Sequence, residues 1–122
     1  MSTVLIVEDN DKNMKLARDV LQAKGYQTLE AITGEDGVKL AKERKPDLVL
    51  MDIQLPGING IEAFRQIRAD AKTSRIPVVA LTASVTPTDR TAIAAAGFDA
   101  FLSKPINLKE FLDTVKRMVE KK

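Results

Sequence analysis

Val4-Leu5-Ile6-Val7-Glu8-Asp9-Asn10 begins with consecutive aliphatic residues and stops abruptly on two carboxylates. Such a run is too short for an amphipathic helix but suits a parallel strand buried on both faces. The same signature returns at Leu48 to Met51, closed by Asp52, and at Pro77 to Leu81, closed by Thr82. Tyr26 to Ala31 and Ala100 to Leu102 are weaker strand segments, and the latter is placed mainly by its position in the alternation. Between these runs the apolar residues recur with a helical period. The last segment is the clearest: Leu108, Phe111, Leu112, Val115, Met118 and Val119 share one face, with Lys109, Glu110, Lys116 and Glu120 elsewhere. Asn59 with Glu62, Thr86 with Asp89 and Asn107 with Glu110 set a capping oxygen three residues ahead of a carboxylate, and Pro87 suits a first helical position. Ile106 and Phe111 form a hydrophobic staple around the last cap, and Gly25 and Gly97 suit helix ends. The pattern is β-α five times over without an internal repeat. It predicts an α/β fold with a five-stranded parallel sheet, right-handed crossovers and helices on both faces.

The 122 residues, 44% of them apolar, are expected to form one domain spanning 1–122 with no output domain on this chain. The scattered Pro and Gly mark neither a linker nor low-complexity sequence. The opening apolar run is far too short for a signal-peptide core or a membrane span, so a cytoplasmic location with no membrane partner is expected. The sequence has no Cys and no His. That excludes disulfides, thiolate nucleophiles, Ser-His-Asp triads and phosphohistidine on this chain, and leaves carboxylates, Lys and hydroxyls for any acid-base or phosphoryl chemistry. With 19 basic against 17 acidic residues, one Tyr, four Phe and no Trp, direct nucleic-acid binding is not expected.

In an open α/β sheet, ligands bind beyond the carboxyl ends of the strands. Those ends are Glu8-Asp9-Asn10, Asp52, Thr82-Ala83-Ser84 and Ser103-Lys104-Pro105. If the first and third strands are neighbours, three carboxylates, a hydroxyl and an ammonium converge. Carboxylates crowded together raise one another's pKa unless a cation intervenes, and Mg²⁺ is the hard ion that takes one or two carboxylates while keeping waters and a phosphate oxygen. Lys104 adds a point charge for the same phosphate. A carboxylate nucleophile, a metal, a Lys and a hydroxyl suit phosphoryl transfer onto Asp. Taken singly, Glu8-Asp9 could serve a helix N-terminus and Asp52 a turn completed by Pro56-Gly57. Their coincidence at four strand ends favours the joint reading. Phe101 reads equally as a core ring or a switch ring. The Ala92 to Ala96 run, interrupted by Ile93, reads equally as a binding face or as close packing. Lys116, Arg117, Lys121 and Lys122 read best as a solvated helix end.

Together, Val4 to Asn10, Leu50-Met51-Asp52-Ile53-Gln54-Leu55-Pro56-Gly57, Leu81-Thr82-Ala83 and Phe101-Leu102-Ser103-Lys104-Pro105 resemble the response-regulator receiver family over essentially the whole chain. The resemblance implies the flavodoxin-like strand order 2-1-3-4-5. It implies Asp52 as phosphoacceptor, with Mg²⁺ held by Asp9, by Glu8 directly or through water, by Asp52 and by the backbone carbonyl of Gln54. Thr82 and Lys104 would bind phosphate oxygens, and Phe101 would rotate inward as Thr82 moves. A cis bond before Pro105 would aim Lys104 at the site, and Gln54 and Ser84 stand where phosphoryl lifetime is tuned. The partners implied are a sensor histidine kinase or histidine phosphotransfer protein, and a downstream protein meeting the fourth helix, fifth strand and fifth helix, with the chain a monomer or weak homodimer. The overall text, including Glu8-Asp9-Asn10 and Asn13, is similar to stand-alone regulators of the DivK type, which control division and polarity. Such a module would catalyse only its own phosphorylation and dephosphorylation. An Asp-nucleophile phosphohydrolase would carry a second Asp where Gln54 stands. A nucleotide-binding domain would need a Gly-rich turn where Glu8-Asp9-Asn10-Asp11 repels phosphate. A pseudo-receiver would hold the same residues idle.

Overall fold

The computed structural model describes residues 2–55, 57–82, 87–104 and 106–120. The chain alternates as expected: β1 (Thr3–Val7), α1 (Asp11–Ala23), β2 (Gln27–Ala31), α2 (Gly34–Arg44), β3 (Leu48–Asp52), α3 (Gly60–Ala69), β4 (Val78–Thr82), α4 (Pro87–Ala96), β5 (Ala100–Ser103) and α5 (Leu108–Glu120). All strand pairs are parallel and the order is β2-β1-β3-β4-β5. The chain therefore reverses direction across the sheet between β1 and β3, where a crevice opens at the strand exits.

Strand parity divides the core in two. Val4, Ile6, Leu48, Leu50, Val79, Leu81 and Leu102 pack with α1 and α5 residues, among them Leu21, Phe111 and Val115. Leu5, Val7, Val49, Met51 and Val78 pack on the other side with Val38, Ala63, Phe64 and Ile67 of α2 and α3. The central strands β3 and β4 are buried throughout, which is why their sequences read as unbroken apolar runs. β2 and β5 lie at the edges and are only partly buried, which is why their sequence signal was weak.

Local chemistry sets the helix boundaries. Asn59 and Asn107 cap α3 and α5, each accepting from the backbone N–H three residues on, at 2.9 and 3.0 Å. Asn10 and Thr33 do the same for α1 and α2, two caps beyond those expected from the sequence. Gly25 and Gly97 adopt φ of +90° and +95° just past α1 and α4, the left-handed exit that glycine enters without strain. Pro87 is the first residue of α4. The expected Thr86 cap, the bond before Pro105 and the parts assigned to Pro56, Ala83, Ser84, Lys121 and Lys122 lie outside the described residues. On α5, Phe111, Val115 and Met118 are buried, and Leu112, Val119 and Ile106 pack against the same core. Leu108 departs from the expected stripe: as the first helical residue it stays 47% exposed, and burial begins one turn later at Phe111.

At the strand-entry edge, Arg68 ties α3 to β4 and to the chain before β5. Its Nη1 donates to the Ile76 carbonyl and its Nη2 to Asp99 Oδ2, which also accepts from the Val78 N–H at 2.8 Å. The guanidinium lies 4.9 Å over the Phe64 ring, itself stacked on Phe98 at 4.1 Å.

Candidate functional site

Glu8 follows β1 in step with Val4 and Ile6, and Asp52 ends β3 in step with Leu48 and Leu50. Parity therefore sends both carboxylates to the α1–α5 side, where they are only 2% and 4% exposed. Each is held by backbone. The Glu8 N–H donates to the Ala31 carbonyl, and the Asn10 N–H donates to Glu8 Oε2 at 3.2 Å while the Asn10 side chain caps α1. The Gln54 N–H donates to Asp52 Oδ1 at 3.0 Å. α3 starts so close to this strand end that a Cβ on Gly60 would strike the Asp52 carbonyl oxygen, so Gly60 sets how near the helix lies.

Lys104 reaches the same pocket from the end of β5. Its backbone N–H donates to the Thr82 carbonyl at 2.8 Å, extending the β4–β5 ladder by one residue. Its Nζ then bridges the two acids, donating to Glu8 Oε1 at 2.5 Å and to Asp52 Oδ2 at 3.0 Å. Asp9 is exposed, yet its carboxylate lies with those of Glu8 and Asp52 in a group whose ligand oxygens all fall within 4.8 Å of one another.

The electrostatics are those of an overcrowded site. Burial, and then the hydrogen bond with Asp52, push the Glu8 carboxyl up to about 6, against the opposing pull of Lys104 and the Asn10 N–H. For Lys104, burial works to lower the ammonium pKa, but the hydrogen bonds and charges of Glu8 and Asp52 outweigh it and the net shift is upward. Three carboxylates against one ammonium leave two negative charges, the charge of one divalent cation. The donors are all oxygen, which fits a hard ion such as Mg²⁺ better than a soft or imidazole-seeking one.

The structure thus brings together Glu8, Asp9, Asp52 and Lys104. Thr82 is buried at the end of β4, one register step beyond the Leu81 that pairs with Asp52, with Ser103 of β5 beside it. Phe101 pairs with Ala80 in the same ladder and is 39% exposed, so of its two readings the core ring is not the one observed. The Gln54 side chain is exposed; its backbone N–H serves Asp52. In α4, Ile93 is buried whereas Ala92, Ala94 and Ala95 are exposed, so the packing of this run rests on Ile93. What the sequence reading missed is the double hold of Lys104 on Glu8 and Asp52, which spans 96 and 52 residues along the chain and leaves no local pattern.

A family model for the response regulator receiver domain matches residues 4–116. The polar-differentiation response regulators DivK of Brucella anthropi and Brucella abortus are each 44% identical to this chain over 114 residues, 93% of either length. Among solved structures, the chain is similar to a putative response regulator from Chloroflexus aurantiacus, with a TM-score of 0.92 at 30% identity over 98% of both chains. It is also similar to the receiver domain of the sensor histidine kinase PA1611 from Pseudomonas aeruginosa, with a TM-score of 0.91 at 33% identity and the same coverage. That domain has a magnesium ion coordinated in its active-site cleft.

Proposed function

The chain belongs to the response regulator receiver family, and on that premise we propose that it is a phosphorylation-controlled switch of a two-component pathway, with Asp52 as the phosphoacceptor. The observation that carries this reading is the ammonium of Lys104 bridging two buried carboxylates, Glu8 and Asp52, with the Asp9 carboxylate alongside. A buried, charge-deficient cluster of this kind costs stability, and fold architecture alone gives no reason to keep it.

In the transfer, an Asp52 carboxylate oxygen attacks the phosphorus of a phosphohistidine on the donor protein. A P–O bond forms, the P–N bond breaks, and the electron pair leaves on the imidazole nitrogen. We assign the donor histidine to a sensor histidine kinase or a histidine phosphotransfer protein, because these 122 residues include no His. Glu8, Asp9, Asp52 and the Gln54 carbonyl would hold Mg²⁺, which would supply the charge neutralisation that phosphoryl transfer needs. Lys104 passes from the two carboxylates to the incoming phosphate. The Thr82 hydroxyl takes another phosphate oxygen, and Phe101 swings inward from its half-exposed position beside β4. Because β5 lies between α4 and α5 in the chain, that movement alters the surface those elements present to a downstream protein. The DivK relatives point to control of polarity or division. Among the described residues no helix is long and apolar enough to cross a membrane; the switch is proposed, separately, to work in the cytoplasm as a monomer or weak homodimer.

A histidine phosphotransfer protein carrying radiolabelled phosphate is the direct test of the donor class. Label should pass to the wild-type chain in the presence of Mg²⁺ and remain on the donor with Asp52→Asn. Transfer to both chains, or to neither, would end this proposal, the latter result marking the chain as a pseudo-receiver.

A further inference from the structure

On the α1–α5 side of the sheet, a groove of about 560 Å³ is lined by Lys24, Tyr26, Lys109, Leu112, Asp113 and Lys116. It lies away from the phosphoacceptor pocket. Gln27 is in register with Thr3, so Tyr26 sits at the edge where strands enter the sheet, whereas Glu8 and Asp52 stand where strands leave it. Lys109, Leu112, Asp113 and Lys116 form one stripe along α5, and Lys24 and Tyr26 close the groove from the end of α1 and the start of β2.

Two features separate this groove from an ordinary solvated helix face. First, none of Lys24, Lys109, Lys116 and Asp113 forms an ion pair among the described residues, although Lys15, Lys39 and Lys42 elsewhere on the helices do. Three unpaired ammonium groups around one concavity create a local positive field on a molecule whose net charge is only +2. Second, the floor is not polar: Tyr26 and Leu112 are half-buried and belong to the fringe of the core, so they present a phenol ring and an aliphatic surface of fixed position. The volume falls in the range of small-ligand sites, which combine apolar walls with a few polar groups.

We propose that this groove binds a small anionic ligand bearing a ring, the chemistry of a nucleotide. The phosphates meet the ammonium groups of Lys24, Lys109 and Lys116, the ring lies on Tyr26 and Leu112, and the Asp113 carboxylate accepts from an amino or hydroxyl group of the ligand. A bare phosphate would use only the charges, and a neutral nucleoside only the floor.

Amide NMR spectra of the full chain in Mg²⁺-free buffer, titrated separately with ADP, inorganic pyrophosphate and adenosine, test the assignment. ADP should shift Lys24, Tyr26, Leu112 and Lys116 in a saturable way, while pyrophosphate and adenosine bind more weakly. A Lys24→Gln/Lys116→Gln variant, whose changes are at exposed positions, should bind ADP about tenfold more weakly, with Asp52→Asn binding as wild type. The absence of saturable shifts at these residues with millimolar ADP would overturn the proposal, as would ADP binding unaffected by the double Lys change. Pyrophosphate binding as tightly as ADP would overturn it too, leaving a simple anion patch. Tighter binding of a poly-glutamate peptide than of ADP would show instead a surface for an acidic protein segment.

Discussion

The two ends of the central strands balance charge in opposite ways. At the entry edge, Arg68 meets Asp99 and the Ile76 carbonyl, Asp99 also takes the Val78 N–H, and the guanidinium rests on an aromatic stack. One cation faces one anion there, and hydrogen bonds complete the match. At the exit edge, Lys104 is shared between Glu8 and Asp52, with Asp9 nearby and no second cation among the described residues. The first cluster is complete without a ligand and holds the fold. The second is left short of positive charge, the state expected of a site that stores affinity for a cation and for phosphate. The fold is therefore stabilised at one end of its strands and destabilised at the other.

The largest stability change should come from breaking the balanced end. Arg68→Ala removes two charge-assisted hydrogen bonds and the contact with Phe64, and leaves Asp99 and the Ile76 carbonyl short of a partner. Denaturant unfolding should show a loss of about 2 kcal/mol. The unbalanced end should respond with the opposite sign. In metal-free buffer near neutral pH, Glu8→Gln removes the raised carboxyl yet keeps an acceptor for Lys104, and should stabilise the protein by about 1 kcal/mol. A destabilised Glu8→Gln protein would mean that the exit cluster is already balanced.

The same contrast has a pH signature. The Glu8 carboxyl titrates at about 6 in the folded protein against an ordinary value of 4.5, so the folded state binds this proton more tightly than the unfolded chain does. Metal-free stability should therefore rise as pH falls through about 6, and the Glu8 contribution is fully present only below 4.5. Between pH 8 and pH 5 the gain should be about 1 kcal/mol in wild type relative to Glu8→Gln. Asp70 and Asp19, both lowered by neighbouring N–H or ammonium groups, work the other way, but only at pH below the ordinary carboxylate value. Calorimetry of the two proteins across this range isolates Glu8. Millimolar Mg²⁺ should raise the thermal midpoint of wild type by a few degrees at neutral pH and by less below about 6, where the proton on Glu8 competes with the metal. The smallest effect belongs to a cluster that is neither buried nor crowded: Lys15→Ala removes the exposed, solvent-screened pair with Asp19 and should leave the thermal midpoint where it is in wild type.

Much of this was legible in the sequence for a physical reason. Strands buried on both faces must be apolar throughout, so β1, β3 and β4 announce themselves, and the acids or hydroxyl that stop each run fall at its exit. The edge strands β2 and β5 face solvent in part, and their mixed polar and apolar residues blurred their limits. Asn59 and Asn107 were legible as caps from the carboxylate three residues on; Asn10, followed at that spacing by Asn13, was not, and Thr33 went unread although Asp36 follows it. Long-range charge matching was not legible at all. Nothing local pairs Arg68 with Asp99, 31 residues away, or tells that Lys104 holds both Glu8 and Asp52. For the same reason Lys116 read as part of a solvated helix end until α1 and β2 were folded against it.

The central claim is that the crowded exit end exists so that Asp52 can receive a phosphoryl group. Intact-mass spectrometry after incubation with acetyl phosphate and Mg²⁺ tests it most directly. Wild type should gain a single phosphoryl group that survives acid and is lost in base, as an acyl phosphate is, with no gain when Mg²⁺ is chelated and none in Asp52→Asn. A wild-type protein that stays unlabelled, or an Asp52→Asn protein labelled to the same extent, would contradict it.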